Sequence, residues 1–304
     1  MNSFISALKI TVLFLVLLFS AVFGHFPHNP KLFYSNEEIA SFSTAATTAA
    51  GDGEIIALGG GFDTQDRFQV LIDESIAHTG KAHPKMLYLP KANLDLMHER
   101  ELIMEWFEQS GCECDYLLAS KADSDEIKNK IQNADIIYAT GGSLKFLSET
   151  WSQSGVNEEV RKAFERGAVL MGRSSGAMCW AQRGWDDCGE EVFRIIEDFP
   201  FLGKDSAYEF YDCAGIIPFC LCPHFDNIAW RTYAFEAKGL DIPSICIENG
   251  AAVVYENGNY SVISDSKTPF KTAYLFNPSR GIKMLDIKKN AEFVTLANGE
   301  FRFR

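Results

Sequence analysis

Between Glu54 and Gly176 short apolar runs alternate with longer amphipathic stretches, and this alternation limits the fold more than any other feature of the chain. Glu54-Ile-Ile-Ala-Leu58 reads as a buried strand, and helical periodicity follows from Arg67 to His78. The pattern repeats with a strand at Met86–Pro90, a helix at Leu94–Ser110, a strand at Asp115–Leu118, a helix at Asp123–Gln132 and a strand at Ile136–Ala139. Helices at Leu144–Trp151 and Asn157–Arg166 then lead to the apolar run Ala168-Val-Leu-Met171. Short runs with no internal polar alternation suit strands covered on both faces. Strands that alternate with helices build a mostly parallel sheet with helices on both sides, which predicts a three-layer α/β fold. Beyond residue 240 the spacing changes. Asp241–Ile247 is a strand, Ala251–Tyr255 and Tyr260–Ile263 form a hairpin around Asn257-Gly258, and Ala273–Phe276 with Lys283–Arg304 reads as a β-rich C-terminal edge.

The fifth apolar run continues into Gly172-Arg-Ser174-Ser175-Gly176-Ala-Met-Cys-Trp180, a serine held between glycines at a strand-to-helix corner. A bare Gly-x-Ser-x-Gly is a common string, but a strand before it and a helix-compatible run after it are the setting of a nucleophile elbow. Such a corner forces the serine into a strained backbone conformation and presents its Oγ, while nearby N–H groups can receive a developing oxyanion. The expected nucleophile is therefore Ser174, with the N–H of Ser175 as one oxyanion donor. The Gly141-Gly142 turn after Ile136–Ala139 ends at the same edge of the sheet, where ligands bind in such folds; its N–H groups suit an oxyanion, and a plain tight turn is the alternative. The Gly59-Gly60-Gly61 turn lacks the spacing of a phosphate-binding loop.

A serine needs a base. His25 and His28 fall before the folded region, and His78, His83 and His98 lie on or beside helices before the elbow. His224, in Cys220-Leu-Cys-Pro-His224-Phe-Asp226, sits at a strand end after it and is the candidate base. Glu248 leaves an apolar strand in Ile247-Glu248-Asn-Gly250; a carboxylate there needs a partner, and an imidazole N–H suits it. The acidic and aromatic stretch Trp185–Tyr211 reads as a loop with irregular helix that walls a cleft.

The bulk properties exclude some partners. With 41 acidic against 28 basic residues the chain carries a formal charge of −13, which repels nucleic acid and anionic membrane surfaces. Residues 1–24 hold Lys9 and then an apolar run to Phe23, shorter than the roughly 20 residues of a spanning helix, and read as a secretory signal peptide. A secreted protein with no stable membrane insertion after cleavage is expected, with a signal-anchor as the alternative. Residues 25–53 read as a flexible extension and residues 54–304 as a single domain. The eight cysteines are spread widely and fit buried thiols with one or two disulfides; no His, Cys and carboxylate set has ligand spacing, so neither metal nor organic cofactor is expected.

Taken together, Gly172-Arg-Ser174-Ser-Gly176-Ala, Cys222-Pro-His224-Phe-Asp226 and Ile247-Glu248-Asn-Gly250 resemble the motifs of the peptidase E family, the aspartyl dipeptidases and their relatives, and most of all its bacterial peptidase E-like branch. The resemblance spans about Glu54 to Phe276. It implies a flavodoxin-like fold of the class I glutamine amidotransferase type, a Ser174, His224 and Glu248 triad, and an oxyanion hole at Gly142 and Ser175. Arg173 and Ser175 replace the aromatic or aliphatic residue and the alanine usual beside the family's nucleophile. The expected activity is hydrolysis of short peptides, including dipeptides with an N-terminal aspartate whose carboxylate Arg231 would hold. A related amidase or esterase and a secreted non-catalytic binding protein are the alternatives.

Overall fold

The pentad Glu54–Leu58 forms strand β1 with every side chain buried, and its neighbours follow the same logic. The computed structural model describes residues 53–90, 97–186, 208–276, 284–287, 295–297 and 300–302. The expected signal peptide, nearly all of the extension, the start of the helix expected at Leu94, Cys188 and most of the expected cleft wall lie outside these residues.

In chain order come β1, helix α1 (Gln65–Thr79), β2 (Lys85–Leu89), α2 (Met97–Gln109), β3 (Glu113–Tyr116), α3 (Ser124–Asn133), β4 (Ile136–Ala139), α4 (Leu144–Ser154), α5 (Val156–Glu165) and β5 (Val169–Arg173). Asp123 starts α3 by accepting from the Glu126 N–H. Strands β3, β2, β4, β5 and β1 lie side by side and parallel. Alternate residues of each strand enter opposite layers. Ile56 and Leu58 join Phe68, Ile72, Trp106 and Phe107 of α1 and α2, whereas Ile55 and Ala57 join Ile131, Leu147, Trp151, Val160 and Phe164 of α3 to α5. Each of these large side chains contributes about 1.5–3 kcal/mol by leaving water, so helices on both faces are held by a period-two pattern. The three-layer α/β reading is borne out.

The hairpin β10 (Ala251–Glu256) and β11 (Asn259–Ser264) turns at Asn257-Gly258 and extends the main sheet antiparallel beside β1. The short strands β14 (Thr295–Ala297) and β15 (Glu300–Arg302) continue this edge.

The sequence did not disclose a second, six-stranded sheet. It contains β6 (Ala181–Asp186), β7 (Glu209–Asp212), β8 (Ile217–Cys222), β9 (Ser244–Ile247), β12 (Ala273–Phe276) and β13 (Met284–Asp286), in the order β13-β12-β9-β8-β6-β7. The helix expected after the elbow, α6, is present and one turn long (Ser175–Met178), and β6 begins three residues later. One expectation changes here. Both ends of the expected cleft wall at Trp185–Tyr211 are strands, because Trp185 stacks on Tyr208 at 4.2 Å and the two segments pair antiparallel. The seven described cysteines are all thiols, so the disulfides allowed for are not found among the described residues. Among the same residues no helix is long and apolar enough to cross a membrane.

Candidate active site

The corner after β5 has the geometry expected of an elbow. Ser174 stands at φ 56° and ψ −119°, a left-handed backbone that costs a non-glycine residue about 1–3 kcal/mol. Its N–H donates to Leu58 O at 3.0 Å, and its own carbonyl accepts from Ala177 and Met178. The flanking glycines are required by close approach. A Cβ on Gly172 would lie 2.0 Å from Gly176 O, and one on Gly176 would lie 2.0 Å from Ala139 O at the end of β4.

The second sheet brings the candidate base. His224 follows β8 at φ 53°, and its N–H donates to Gly59 O at 3.0 Å. Its Nε2 lies 2.8 Å from Ser174 Oγ, and its Nδ1 lies 2.7 Å from Asn249 Oδ1. Asn249 is itself fixed, since its backbone N–H and its Nδ2 both donate to Asp226 Oδ1 at 2.8 Å. Lys271 Nζ donates to the other oxygen, Asp226 Oδ2, at 2.6 Å. This chain of bonds assigns the proton on the imidazole. With Nδ2 committed to a carboxylate, Asn249 can offer only its carbonyl oxygen to His224, so Nδ1 carries the hydrogen and Nε2 presents a lone pair to the serine hydroxyl. Burial alone would raise the Asp226 carboxyl, but hydrogen bonds from Lys271 and the Asn249 N–H, with the Lys271 charge, hold it below the usual carboxylate value.

The expected partner Glu248 is one residue away from this role. The hydrogen bond at Nδ1 belongs to Asn249, while Glu248 Oε2 accepts from the Thr272 N–H at 3.2 Å and the Glu248 N–H donates to Thr272 O at 3.1 Å. The turn after β9 sends the two side chains to different neighbours, Glu248 to the residue before β12 and Asn249 to the histidine. Burial raises the Glu248 carboxyl above its ordinary value despite the opposing Lys271 charge and Thr272 N–H. A strained glycine makes room for the His–Asn pair. Gly60 has φ +142°, and a Cβ there would fall 2.1 Å from Asn249 Oδ1 and 2.7 Å from His224 Nδ1. The glycine turn that resembles no phosphate loop is therefore the seat of the histidine.

The two elbow serines are distinguished by their surroundings. Ser175 is fully buried and its Oγ donates to Gly142 O, which ties the elbow to the Gly141-Gly142 turn. A Cβ on Gly141 would stand 3.3 Å from Ser174 Cβ, so that turn lies directly against Ser174. Arg173 pairs with Glu99, whose other oxygen accepts from Thr140 Oγ1 at 2.7 Å, and with Asp63 at 3.4 Å. Arg231 lies in a 3₁₀ turn, donates from Nε to Phe225 O at 3.1 Å, and its charge reaches Glu248. The His224 ring lies 5.1 Å from that of Trp230, the start of an aromatic wall with Tyr208 and Trp185. Among the described residues no set of three His, Cys, Asp or Glu side chains converges on this corner to hold a metal.

Sequence reasoning missed Asn249, Lys271 and the supporting part played by Asp226. Asp226 and Asn249 stood inside the motifs already singled out, next to the residues that were chosen; nothing local signalled Lys271.

The sequence profile of Peptidase family S51 matches residues 55–263. The chain is 25% identical over 184 residues to an uncharacterized peptidase of Bacillus subtilis, covering 60% of this chain and 73% of that one. It is 24% identical over 203 residues to a peptidase E of Shewanella denitrificans, covering 64% and 78% respectively. Among solved structures, a peptidase from an acI-B1 actinobacterium superposes with a TM-score of 0.57 at 18% identity, covering 79% of this chain and 96% of that one. A putative peptidase E protein from Listeria monocytogenes does so with a TM-score of 0.51 at 16% identity, covering 70% and 99%. At these identities the structural likeness speaks for the fold.

Proposed function

The chain belongs to peptidase family S51, and from that premise we propose that it is a serine-type peptidase that hydrolyses short peptides through Ser174, His224 and Asn249. Ser174 Oγ attacks the scissile carbonyl carbon while its proton passes to His224 Nε2, and the carbonyl π electrons move to oxygen. The N–H groups of Ser175 and Gly142 receive that oxyanion; one such donor is typically worth about 10²–10³ in rate. His224 then returns the proton to the departing amine, and water repeats the sequence on the acyl-serine. Asn249 takes the orienting role first expected of Glu248, with Asp226 and Lys271 behind it.

The observation that carries this reading is the 2.8 Å contact between a hydroxyl on a strained corner and an imidazole nitrogen whose other nitrogen is committed to an acceptor. The test is fluorophosphonate labelling together with a dipeptide-library hydrolysis profile, on the wild-type protein beside Ser174→Ala. Stoichiometric labelling and peptide hydrolysis, both lost in the variant, are expected. Labelling with hydrolysis of amides or esters but not peptides would transfer the same machinery to a different leaving group. Neither labelling nor hydrolysis would make the protein a non-catalytic binder.

Within this reading the favoured substrates are dipeptides with an N-terminal aspartate, because Arg231 stands beside the histidine motif and can offset the chain's net negative field. Arg231→Ala should then raise KM for Asp-X dipeptides far more than for Ala-X dipeptides. Equal changes for both would leave a broader dipeptidase.

A further inference from the structure

We infer that Glu54, His78 and Glu256 form a binding site for a divalent cation of the borderline class that zinc and cobalt represent, at the end of the main sheet opposite Ser174. The three residues come from three elements. Glu54 opens β1, Glu256 closes β10 directly across the antiparallel ladder from it, and His78 lies in the last turn of α1. Ser174 is bonded to Leu58 at the other end of β1, about 13 Å of strand away, so this cluster is separate from the peptidase corner.

The geometry suits one ion. His78 Nδ1 lies 3.1 Å from Glu256 Oε1 and 3.8 Å from Glu54 Oε2, and one donor atom from each residue falls within 4.8 Å of the others. Ligand atoms that share an ion at about 2.0–2.2 Å stand roughly 3–3.6 Å apart, so adjustments below about an ångström would seat it. The burial calls for a ligand. Glu54 is only 2% exposed, and among the described residues its Oε1 has no hydrogen-bond partner. A carboxylate removed from water in this way is costly unless it is paired, coordinates a metal or takes up a proton; burial and the Glu74 and Glu256 charges push Glu54 up to about 8, and an ion here would displace that proton. Glu74 stands one turn before His78 on the same helix. Two carboxylates face the imidazole, and the charge of Glu74 adds to the negative field at Glu54. An imidazole beside two carboxylates selects zinc-like ions over calcium or magnesium. Glu256 lies at the exposed rim and His78 is half-buried, which leaves an entry path and room for water in the remaining coordination positions. The ion would fasten α1 to the hairpin edge, a structural part and not a catalytic one.

The experiment titrates Co²⁺ and Zn²⁺ into the chelator-stripped full chain and into His78→Ala and Glu54→Gln. Visible d–d absorption reads cobalt, and calorimetry with melting temperature reads zinc. Wild type should bind one Co²⁺ per chain with a d–d band and should melt higher with Zn²⁺. Either variant should bind at least about 100-fold more weakly, since the loss of even an outer partner of a ligand costs about 10–100-fold. Hydrolysis by wild type should be the same with and without Zn²⁺. Wild type that takes up neither ion, or His78→Ala that binds as tightly as wild type, overturns the proposal. If Glu54→Gln does not fold, His78→Ala decides alone.

Discussion

The two halves of the candidate site are built in different ways. The nucleophile half is contiguous: β5, Ser174 and α6 occupy neighbouring residues, and backbone contacts hold them, through Leu58 O, Ala139 O and the glycines that permit those approaches. The base half is dispersed. His224, Asp226, Asn249 and Lys271 arrive from β8, from the turn after β9 and from the approach to β12, and side-chain hydrogen bonds hold them in line. The serine's position is therefore set by packing that single side-chain changes barely touch, whereas the histidine's tautomer depends on a polar chain that one substitution can break.

The largest effects should fall where the halves meet. Ser174→Ala and His224→Ala should each lower kcat/KM by about 10⁴–10⁶ with an unchanged melting profile, while Ser175→Ala should lose less than about tenfold because only its N–H acts on substrate. If Ser175→Ala were as damaging as Ser174→Ala, the backbone-held half would be misassigned. A smaller but still large effect is expected at the seam. Gly60→Ala should cost about 100-fold in kcat, because a Cβ displaces the His–Asn pair and misplacement near 1 Å costs about that much. Steady-state kinetics beside circular dichroism would check it, and full activity would show that the seam tolerates what the geometry forbids.

The smallest expected effect concerns pH. The Asp226 carboxyl is held low in the folded protein, so its contribution is present above its unfolded value and is lost as pH falls through the folded one. Lys271→Met removes a hydrogen bond and a charge and leaves burial to push the group up. The acidic limb of the kcat/KM profile should then move to higher pH in the variant. Superimposable profiles would cut Lys271 and Asp226 out of the base half.

The same contrast explains what was legible in the sequence. Strands β1 and β4 match their expected boundaries and α3 matches to within a residue, since an unbroken apolar run and a helical period are local signals. Ser174 was legible for that reason, as its strain is encoded by the glycines beside it. His224 could be reached by elimination among the histidines. Glu248 was the expected partner because a buried carboxylate is a strong chemical signal, while the contact of Asn249 with His224 depends on how adjacent side chains face in the turn after β9, which β12, a distant pairing, decides. The second sheet was hidden for a related reason. Between its parallel strands β8 and β9 the chain makes only short turns of helix, at Trp230–Thr232, Tyr233–Glu236 and Ala237–Gly239, so no strand-and-helix alternation announced them.

The central claim is that Asn249, held by Asp226, orients His224, and a paired kinetic measurement tests it most directly. kcat/KM for one dipeptide should be determined over the full pH profile for wild type, Asn249→Ala and Glu248→Gln. Asn249→Ala should lose about 100-fold or more in kcat with little change in KM, while Glu248→Gln, which keeps an acceptor for the Thr272 N–H, should remain close to wild type. A Glu248→Gln protein that loses more than Asn249→Ala would contradict the account and restore the carboxylate as the third member of the triad.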